Sequence, residues 1–400
     1  MALNSTLNAE CSAPPAAPHA ALASLLATLN PNLKHLPVYQ PGRPIEEVAR
    51  ELHLPASEII KLASNENPLG PSPLALEAMQ KAVPGMNLYP DGNAFYLKRT
   101  LAAKLGLQTN NLILGNGSNE IIEFAAHALI SPQSEVVVSQ YCFAVYPIVT
   151  HLFGGKLVEV PARDYGHDLR AMRDAVTDRT RIVFVANPNN PTGTLASKEE
   201  MLQLVTTMPP EVLLVVDEAY IEFLSDSLDL LPLIRSGEHP NLVLMRTFSK
   251  IYGLAGLRVG YGIGHPDVIA AFESVRQPFN LNSMAQAAAL AALDDTIHYR
   301  RTLENNVNGM RLLTEAFQHL GLKYVPSSAN FVLVRVGDGA AVFQGLQAQG
   351  VIVRPMGGYR LGEWIRVTVG TPAENQRFLA ALTKVLNELK KSQPRDHSGG

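Results

Sequence analysis

Cysteine is nearly missing from this 400-residue chain, which carries only Cys11 and Cys142. Two cysteines build neither a disulfide framework nor a metal cluster, and such usage is that of a reducing compartment. No uninterrupted apolar run approaches the roughly 20 residues that a membrane span needs. The first 33 residues hold no lysine or arginine, so a secretory n-region and an arginine-rich transit peptide are both excluded. Excess charge of either sign is also lacking: 33 basic and 36 acidic residues give a formal net charge of −3. Without a basic footprint, a nucleic-acid partner is not expected. Charged residues make up only 17% of the chain against 46% hydrophobic, which excludes a disordered polymer and permits a large core. No internal repeat is visible.

What is present is an alternation of two patterns. Short β-branched apolar runs at Asn111–Leu114, Val136–Val138, Ile182–Val185, Val212–Val216 and Leu242–Met245 read as strands, each ending in a polar cluster and followed by a longer helix-like run. A helix is expected from about Ile121, and Ser197 with Glu200 has the spacing of a capping box. Continuous apolar runs belong to strands buried on both faces, and strands alternating with helices build a parallel sheet. The last 90 residues differ: Asn308–Leu320 reads as a helix, Asn330–Arg335, Val351–Arg354 and Trp364–Val369 as strands, and Glu374–Leu389 as a closing amphipathic helix. The expected organisation is a loosely ordered extension (1–33), an arm packing on the smaller lobe (34–75), a large α/β domain (76–305), a small α+β domain (306–390) and a solvated tail (391–400).

In an open parallel sheet, ligands bind beyond the carboxyl ends of the strands. The five runs place Gly117, Ser118 and Asn119, then Phe143 and Tyr146, Asn190, Asp217 and Tyr220, and Ser249 and Lys250 along that edge. Loops are polar anyway, but this inventory has chemical meaning. Lys250 lies between a buried strand and a glycine-rich apolar segment, where desolvation lowers an amine's pKa and makes it a nucleophile toward an aldehyde. Asp217 ends an apolar run and needs a cationic or hydrogen-bonding partner, either a protonated pyridine nitrogen or, as a structural role, an N-cap or sheet-end salt bridge. Gly115-Asn-Gly-Ser-Asn-Glu120 opens a helix, whose free N–H groups favour a phosphate. Neither it nor Gly260-Tyr-Gly-Ile-Gly264 has the dinucleotide spacing, which argues against a nucleotide-dependent dehydrogenase. Arg258, with Thr247 and Ser249, is a candidate phosphate clamp or a structural ion pair. No metal-ligand set is expected.

Three motifs in order, Asn187-Pro-Asn-Asn-Pro-Thr-Gly193, Asp217-Glu-Ala-Tyr220 and Ser249-Lys-x7-Arg-x-Gly260, resemble those of the fold-type I aminotransferases that use pyridoxal 5′-phosphate. The resemblance extends from about Leu62 to Leu389. Within that superfamily, Leu62-Ala-Ser-Asn-Glu-Asn-Pro-Leu-Gly70, Tyr89-Pro-Asp-Gly92, Arg246–Arg258 and Ile365–Asn375 are similar to motifs of the histidinol-phosphate aminotransferase family. The resemblance implies a large domain with a mostly parallel seven-stranded sheet between helices, plus a smaller α+β C-terminal domain. It implies that Lys250 forms the Schiff base and moves the substrate proton, and that Asp217 pairs with the ring nitrogen. Tyr220 and Asn190 would hydrogen-bond the ring's phenolic oxygen, and Phe143 would stack on the ring. Gly117, Ser118, Asn119, Thr247, Ser249 and Arg258 would hold the phosphate, with Tyr89 reaching over from a partner subunit. Arg366 and Arg354 would meet the substrate's acidic group, with Asn67 and Asn330 also at the substrate. Two positions depart from the family pattern: Phe143 stands where tyrosine is usual, and Asn67 where some members carry tyrosine.

The implied reaction is ping-pong transamination between histidinol phosphate and 2-oxoglutarate in histidine synthesis, by a cytoplasmic homodimer with shared active sites, no nucleic acid and no membrane. An aromatic amino-acid aminotransferase would share the scaffold and the lysine. So would a phosphothreonine decarboxylase or a carbon–sulfur lyase. A regulatory protein with a retired domain is a different class, and the complete set of Lys250, Asp217, Tyr220, Asn190 and Arg258 argues against it.

Overall fold

The computed structural model describes residues 20–36 and 42–392. Expectations for residues 1–19, 37–41 and 393–400 lie outside the described residues. A short strand, β1 (Ile60–Lys61), precedes the main sheet, whose strands are β2 (Leu112–Asn116), β3 (Glu135–Ser139), β4 (Lys156–Val160), β5 (Thr180–Ala186), β6 (Leu213–Asp217), β7 (Leu242–Thr247) and β8 (Val259–Gly264). Their order is β2-β8-β7-β6-β5-β3-β4, and only β8 runs antiparallel to its neighbours. Alternate residues feed two cores. Val136, Val138, Ile182, Phe184, Val215 and Met245 pack on one face with the helix Ser118–Leu129. Val137, Val183, Val185, Leu214, Val216 and Leu244 pack on the other. Burial on both faces is why these runs are continuously apolar.

Two strands of this sheet are absent from the sequence reading. Lys156–Val160 is an edge strand, largely part-exposed and interrupted by Lys156 and Glu159, so it lacks the apolar run of a central strand. Val259–Gly264 has glycine at 260, 262 and 264. Those glycines are there for close approach: a Cβ on Gly260 would lie 2.2 Å from the Ser118 nitrogen, and one on Gly262 3.0 Å from Ile121 Cγ2. Side chains on this face would push the helix Ser118–Leu129 off the sheet.

The smaller lobe is a four-stranded antiparallel sheet, in the spatial order Arg354–Pro355, Trp364–Thr368, Phe331–Arg335 and Tyr324–Val325. It comprises β9 (Tyr324–Val325), β10 (Phe331–Arg335), β12 (Arg354–Pro355) and β13 (Trp364–Thr368), while β11 (Val351–Ile352) pairs in parallel with β1. Helices Thr296–His319, Gly339–Gln347 and Pro372–Ser392 belong to the same part of the chain, and Leu313, Phe317, Val332, Ile365, Val367, Phe378 and Leu382 form its core. The helix Thr296–His319 runs unbroken across the boundary expected at 305–306. The arm reaches this lobe through the β1–β11 pairing and a small core of Val48, Ala49, Ile59, Ala63 and Ile352. Within the extension expected to be loosely ordered, Ala20–Ala27 is helical, as its alanine- and leucine-rich sequence favours. Asn32 just beyond it donates to the Leu152 carbonyl at 3.3 Å. No described helix is long and apolar enough to cross a membrane.

Candidate active site

The carboxyl ends of β2, β3, β5, β6 and β7 face the antiparallel sheet of the smaller lobe across a cleft of about 360 Å³. Ser118, Asn119, Phe143, Asn190, Asp217, Tyr220, Thr247, Ser249, Lys250, Arg258, Arg354 and Arg366 all line it. One sheet edge and one facing strand pair thus gather side chains from positions 118 to 366.

Lys250 follows the buried strand β7. Its Nζ donates to the Ser64 carbonyl at 3.2 Å and lies 5.6 Å from the Tyr220 ring centre. Burial first, and the Arg366 guanidinium second, pull its pKa from 10.5 down to about 8. Asp217, the last residue of β6, is buried. It accepts from Tyr146 Oη at 2.7 Å and from the Ala219 N–H at 3.0 Å. Burial raises its pKa, and these two donors oppose the rise. The sheet-end salt bridge weighed for Asp217 is absent among the described ion pairs; the acid beside it, Glu218, takes that role, accepting from Arg246 Nε at 2.7 Å. Tyr146 itself stacks on Phe184, with centroids 4.6 Å apart, and meets the Phe143 ring edge-on. Burial pushes the Tyr220 phenol up to about 12.

The turn into the helix Ser118–Leu129 is set by Gly117, at φ 77°. A Cβ there would lie 2.4 Å from Arg258 Nη2, so glycine is needed both for the backbone and for the guanidinium beside it. Arg258 Nη1 donates to Ser249 Oγ at 3.5 Å and to the Ala255 carbonyl at 3.1 Å. Ser249 N–H in turn donates to Thr247 Oγ1 at 3.1 Å. Helix N–H groups, hydroxyls and a guanidinium converge here, which is the chemistry of a phosphate or other oxyanion.

At the opposite end of the cleft, Arg354 and Arg366 are register partners across the antiparallel pair β12–β13. Arg366 donates to the Ala63 carbonyl at 2.9 Å and to Asn190 Oδ1, and its guanidinium lies 5.1 Å from the Phe331 ring centre. Two guanidinium groups at one register position of a strand pair are suited to binding an anionic group.

Five of the residues singled out in the sequence do not line the cleft: Gly117 and Tyr146, which stand behind Arg258 and Asp217, and Asn67, Asn330 and Tyr89. Asn67 spends its amide on the Ile251 carbonyl and Thr302 Oγ1 and accepts from Leu69 N–H, so it braces the segment after Lys250. Asn330 donates to the Asn65 carbonyl at 3.1 Å. Tyr89 is 83% exposed and stacks on Phe279. Conversely, Ala63, Ser64, Asn65, Glu66 and Tyr359 line the cleft without having been picked out. The signal in the sequence is Leu62–Gly70 as a whole, of which only Asn67 is expected at the substrate; the residues that line the cleft, Ala63 to Glu66, lie just before it.

Comparison with known proteins adds independent findings. A family model described as aminotransferase class I and II matches residues 57–382. The chain is 50% identical over 364 residues to a protein named histidinol-phosphate aminotransferase from Akkermansia muciniphila, covering 91% of this chain and all of that protein. It is 53% identical over 356 residues to histidinol-phosphate aminotransferase 2 of Ralstonia nicotianae, covering 88% of this chain and 95% of that one. Among solved structures, that of histidinol-phosphate aminotransferase from Sinorhizobium meliloti in complex with pyridoxal-5′-phosphate matches with a TM-score of 0.83 at 30% identity, covering 91% and 98% of the two chains.

Proposed function

This chain belongs to the class I and II aminotransferases, and on that premise we propose that it transfers an amino group between histidinol phosphate and 2-oxoglutarate, with pyridoxal 5′-phosphate as cofactor. The donor set fits that cofactor. A lysine with a lowered pKa stands between an oxyanion cradle and a buried carboxylate, and the Gly117 turn leaves no room for a side chain beside Arg258. Bound there, the cofactor's protonated ring supplies an electron sink for charge developing at the substrate Cα.

The chain's own residues would do the rest. Ser118, Asn119, Thr247, Ser249 and Arg258 would hold the phosphate, and Asp217 would keep a proton on the ring nitrogen. Phe143 would cover the ring face, while Tyr220 and the Asn190 amide would donate to its phenolic oxygen. The Lys250 amine, neutral in part near pH 7, would take and return the proton at the substrate Cα. Arg366 and Arg354 would bind the substrate's phosphate or carboxylate, because guanidinium pairs bidentately with either. The observation that carries this reading is the Arg354–Arg366 register pair facing Lys250 across one cleft. It suits a substrate set in which both members are strongly anionic.

The same reading places the enzyme in the cytoplasm as a homodimer with shared sites. Leu74, Leu76, Val83, Met86, Leu88, Tyr89, Phe95 and Tyr96 are all exposed within one short stretch, an apolar concentration suited to an interface. Mixing Tyr89→Ala and Lys250→Ala subunits is expected to restore about a quarter of wild-type activity, through hybrid dimers with one intact site. No restoration would refute the shared site.

The test of the substrate is a half-reaction followed by absorbance of the bound cofactor, with histidinol phosphate or phenylalanine added and no keto acid present. Faster conversion by histidinol phosphate is expected. Faster conversion by phenylalanine would keep the cofactor and Lys250 but overturn the substrate.

A further inference from the structure

Ala63, Ser64 and Asn65 form a strap that offers three successive polar groups to three parts of the cleft. The Ala63 carbonyl accepts from Arg366 Nη2, the Ser64 carbonyl accepts from Lys250 Nζ, and the Asn65 amide donates to Tyr220 Oη at 2.9 Å. The strap is held in place on both sides. Leu62 N–H donates to the Ile352 carbonyl at 2.7 Å, Thr368 N–H donates to the Leu62 carbonyl at 2.9 Å, and Asn330 Nδ2 donates to the Asn65 carbonyl. Asn65 is 1% exposed and has φ 55°, a backbone region that asparagine and aspartate adopt more readily than other side chains.

Donor and acceptor accounting around Asn65 leaves one arrangement. Its backbone N–H donates to Thr368 Oγ1 at 2.9 Å, and the Thr368 hydroxyl donates back to Asn65 Oδ1 at 3.2 Å. The side-chain oxygen is thereby pinned on Thr368, and the NH₂ group is the one that faces Tyr220. The Tyr220 oxygen accepts that bond, so its single proton remains for another acceptor. Among the described hydrogen bonds no protein group takes it, and Tyr220 lines the cleft.

We propose that Asn65 is a positioning residue for Tyr220: by donating to the phenol oxygen it commits the Tyr220 hydroxyl to act as a donor to the cofactor's phenolic oxygen. Through Thr368 it also ties that donor to the strand that carries Arg366. The proposal rests on the pyridoxal 5′-phosphate reading given above. Asn65→Asp keeps the size and backbone preference but replaces a donor by an acceptor. The phenol proton then turns to the new carboxylate and away from the cleft. Without that donor Tyr220 would no longer stabilise an ionised phenolic oxygen on a bound cofactor, and the proton beside that oxygen would be held more tightly.

The experiment is a pH titration of the absorbance of the cofactor bound to the purified, reconstituted enzyme, run on wild type, Asn65→Asp, Tyr220→Phe and the double variant. The midpoint is expected to rise by about one pH unit in Asn65→Asp, to rise in Tyr220→Phe, and to go no higher in the double variant than in Tyr220→Phe alone. Thr368→Val releases the anchored oxygen without adding charge and is expected to give a smaller rise. It carries the test if the aspartate variant does not fold. Unchanged midpoints in both Asn65→Asp and Thr368→Val would overturn the proposal, as would a shift that persists undiminished on the Tyr220→Phe background, since that would be the new charge acting alone. A wild-type protein that takes up no pyridoxal 5′-phosphate would overturn the cofactor reading itself, a distinct outcome from bound cofactor with an unmoved midpoint.

Discussion

Replacing Lys250 by methionine is expected to abolish turnover and yet stabilise the cofactor-free protein at neutral pH. In the folded chain the lysine's pKa is drawn from 10.5 to about 8, chiefly by burial and next by Arg366. A group whose folded pKa lies below its unfolded pKa penalises the folded state wherever it is protonated in both. The penalty is full below pH 8 and fades as pH rises toward 10.5, because in that window the unfolded chain binds the extra proton. The size of the depression corresponds to about 3 kcal/mol, worth roughly 4 °C in Tm for a chain of this length. Methionine fills a similar volume without the charge. The assay is thermal unfolding of cofactor-stripped wild type and Lys250→Met between pH 7 and 10. The variant should be more stable at pH 7, and the gap should narrow as wild type gains stability above pH 8. A variant no more stable than wild type at pH 7, or a gap that does not change with pH, would refute the reasoning. The lysine would then be paired well enough to carry its proton at no cost.

Arg366→Ala is expected to raise KM for both the amine and the keto acid by roughly 10- to 100-fold, the worth of a charge-assisted pair; unchanged values for both would remove Arg366 from the substrate site. Tyr146→Phe deletes the donor at 2.7 Å from Asp217, one of the two contacts that hold its pKa down. The acid limb of the kcat/KM profile should therefore move to higher pH, and an unmoved limb would show that Asp217 is not the group titrating there. Gly260→Ala places a Cβ 2.2 Å from the Ser118 nitrogen, so it should weaken cofactor retention on dialysis more than it lowers Tm. A variant that keeps its cofactor would show that the turn at Gly117 does not hold the phosphate.

The cofactor half of the cleft was legible in the sequence because each part is local. A buried strand ends and a polar cluster follows within a few residues, so Asp217, Lys250 and Ser118–Asn119 are placed by chain order alone. The antiparallel strand Val259–Gly264 was not legible, since its glycines answer to a helix that packs from elsewhere. Nor were the roles of Asn65 and Asn67 separable. Two asparagines two residues apart in one loop look alike until their partners are known: Thr302 and Ile251 for Asn67, Tyr220 and Thr368 for Asn65. Those partners lie about 150 to 300 positions away in the chain, and no spacing rule reaches that far.

The same distance explains why the strap matters to the chemistry. The sheet edge alone supplies a lysine, a carboxylate and an oxyanion cradle, and the smaller lobe alone supplies two opposed arginines. The two halves meet directly where Arg366 donates to Asn190 Oδ1. Residues 63–65 touch both, since Arg366 and Thr368 lie two apart on β13, and therefore on one face of it, and both hydrogen-bond the strap that also meets Lys250 and Tyr220. Arg366 and Thr368 on β13 are therefore joined to Lys250 and Tyr220 through one three-residue strap, so the arginine and the phenol are positioned by the same hydrogen-bonded segment.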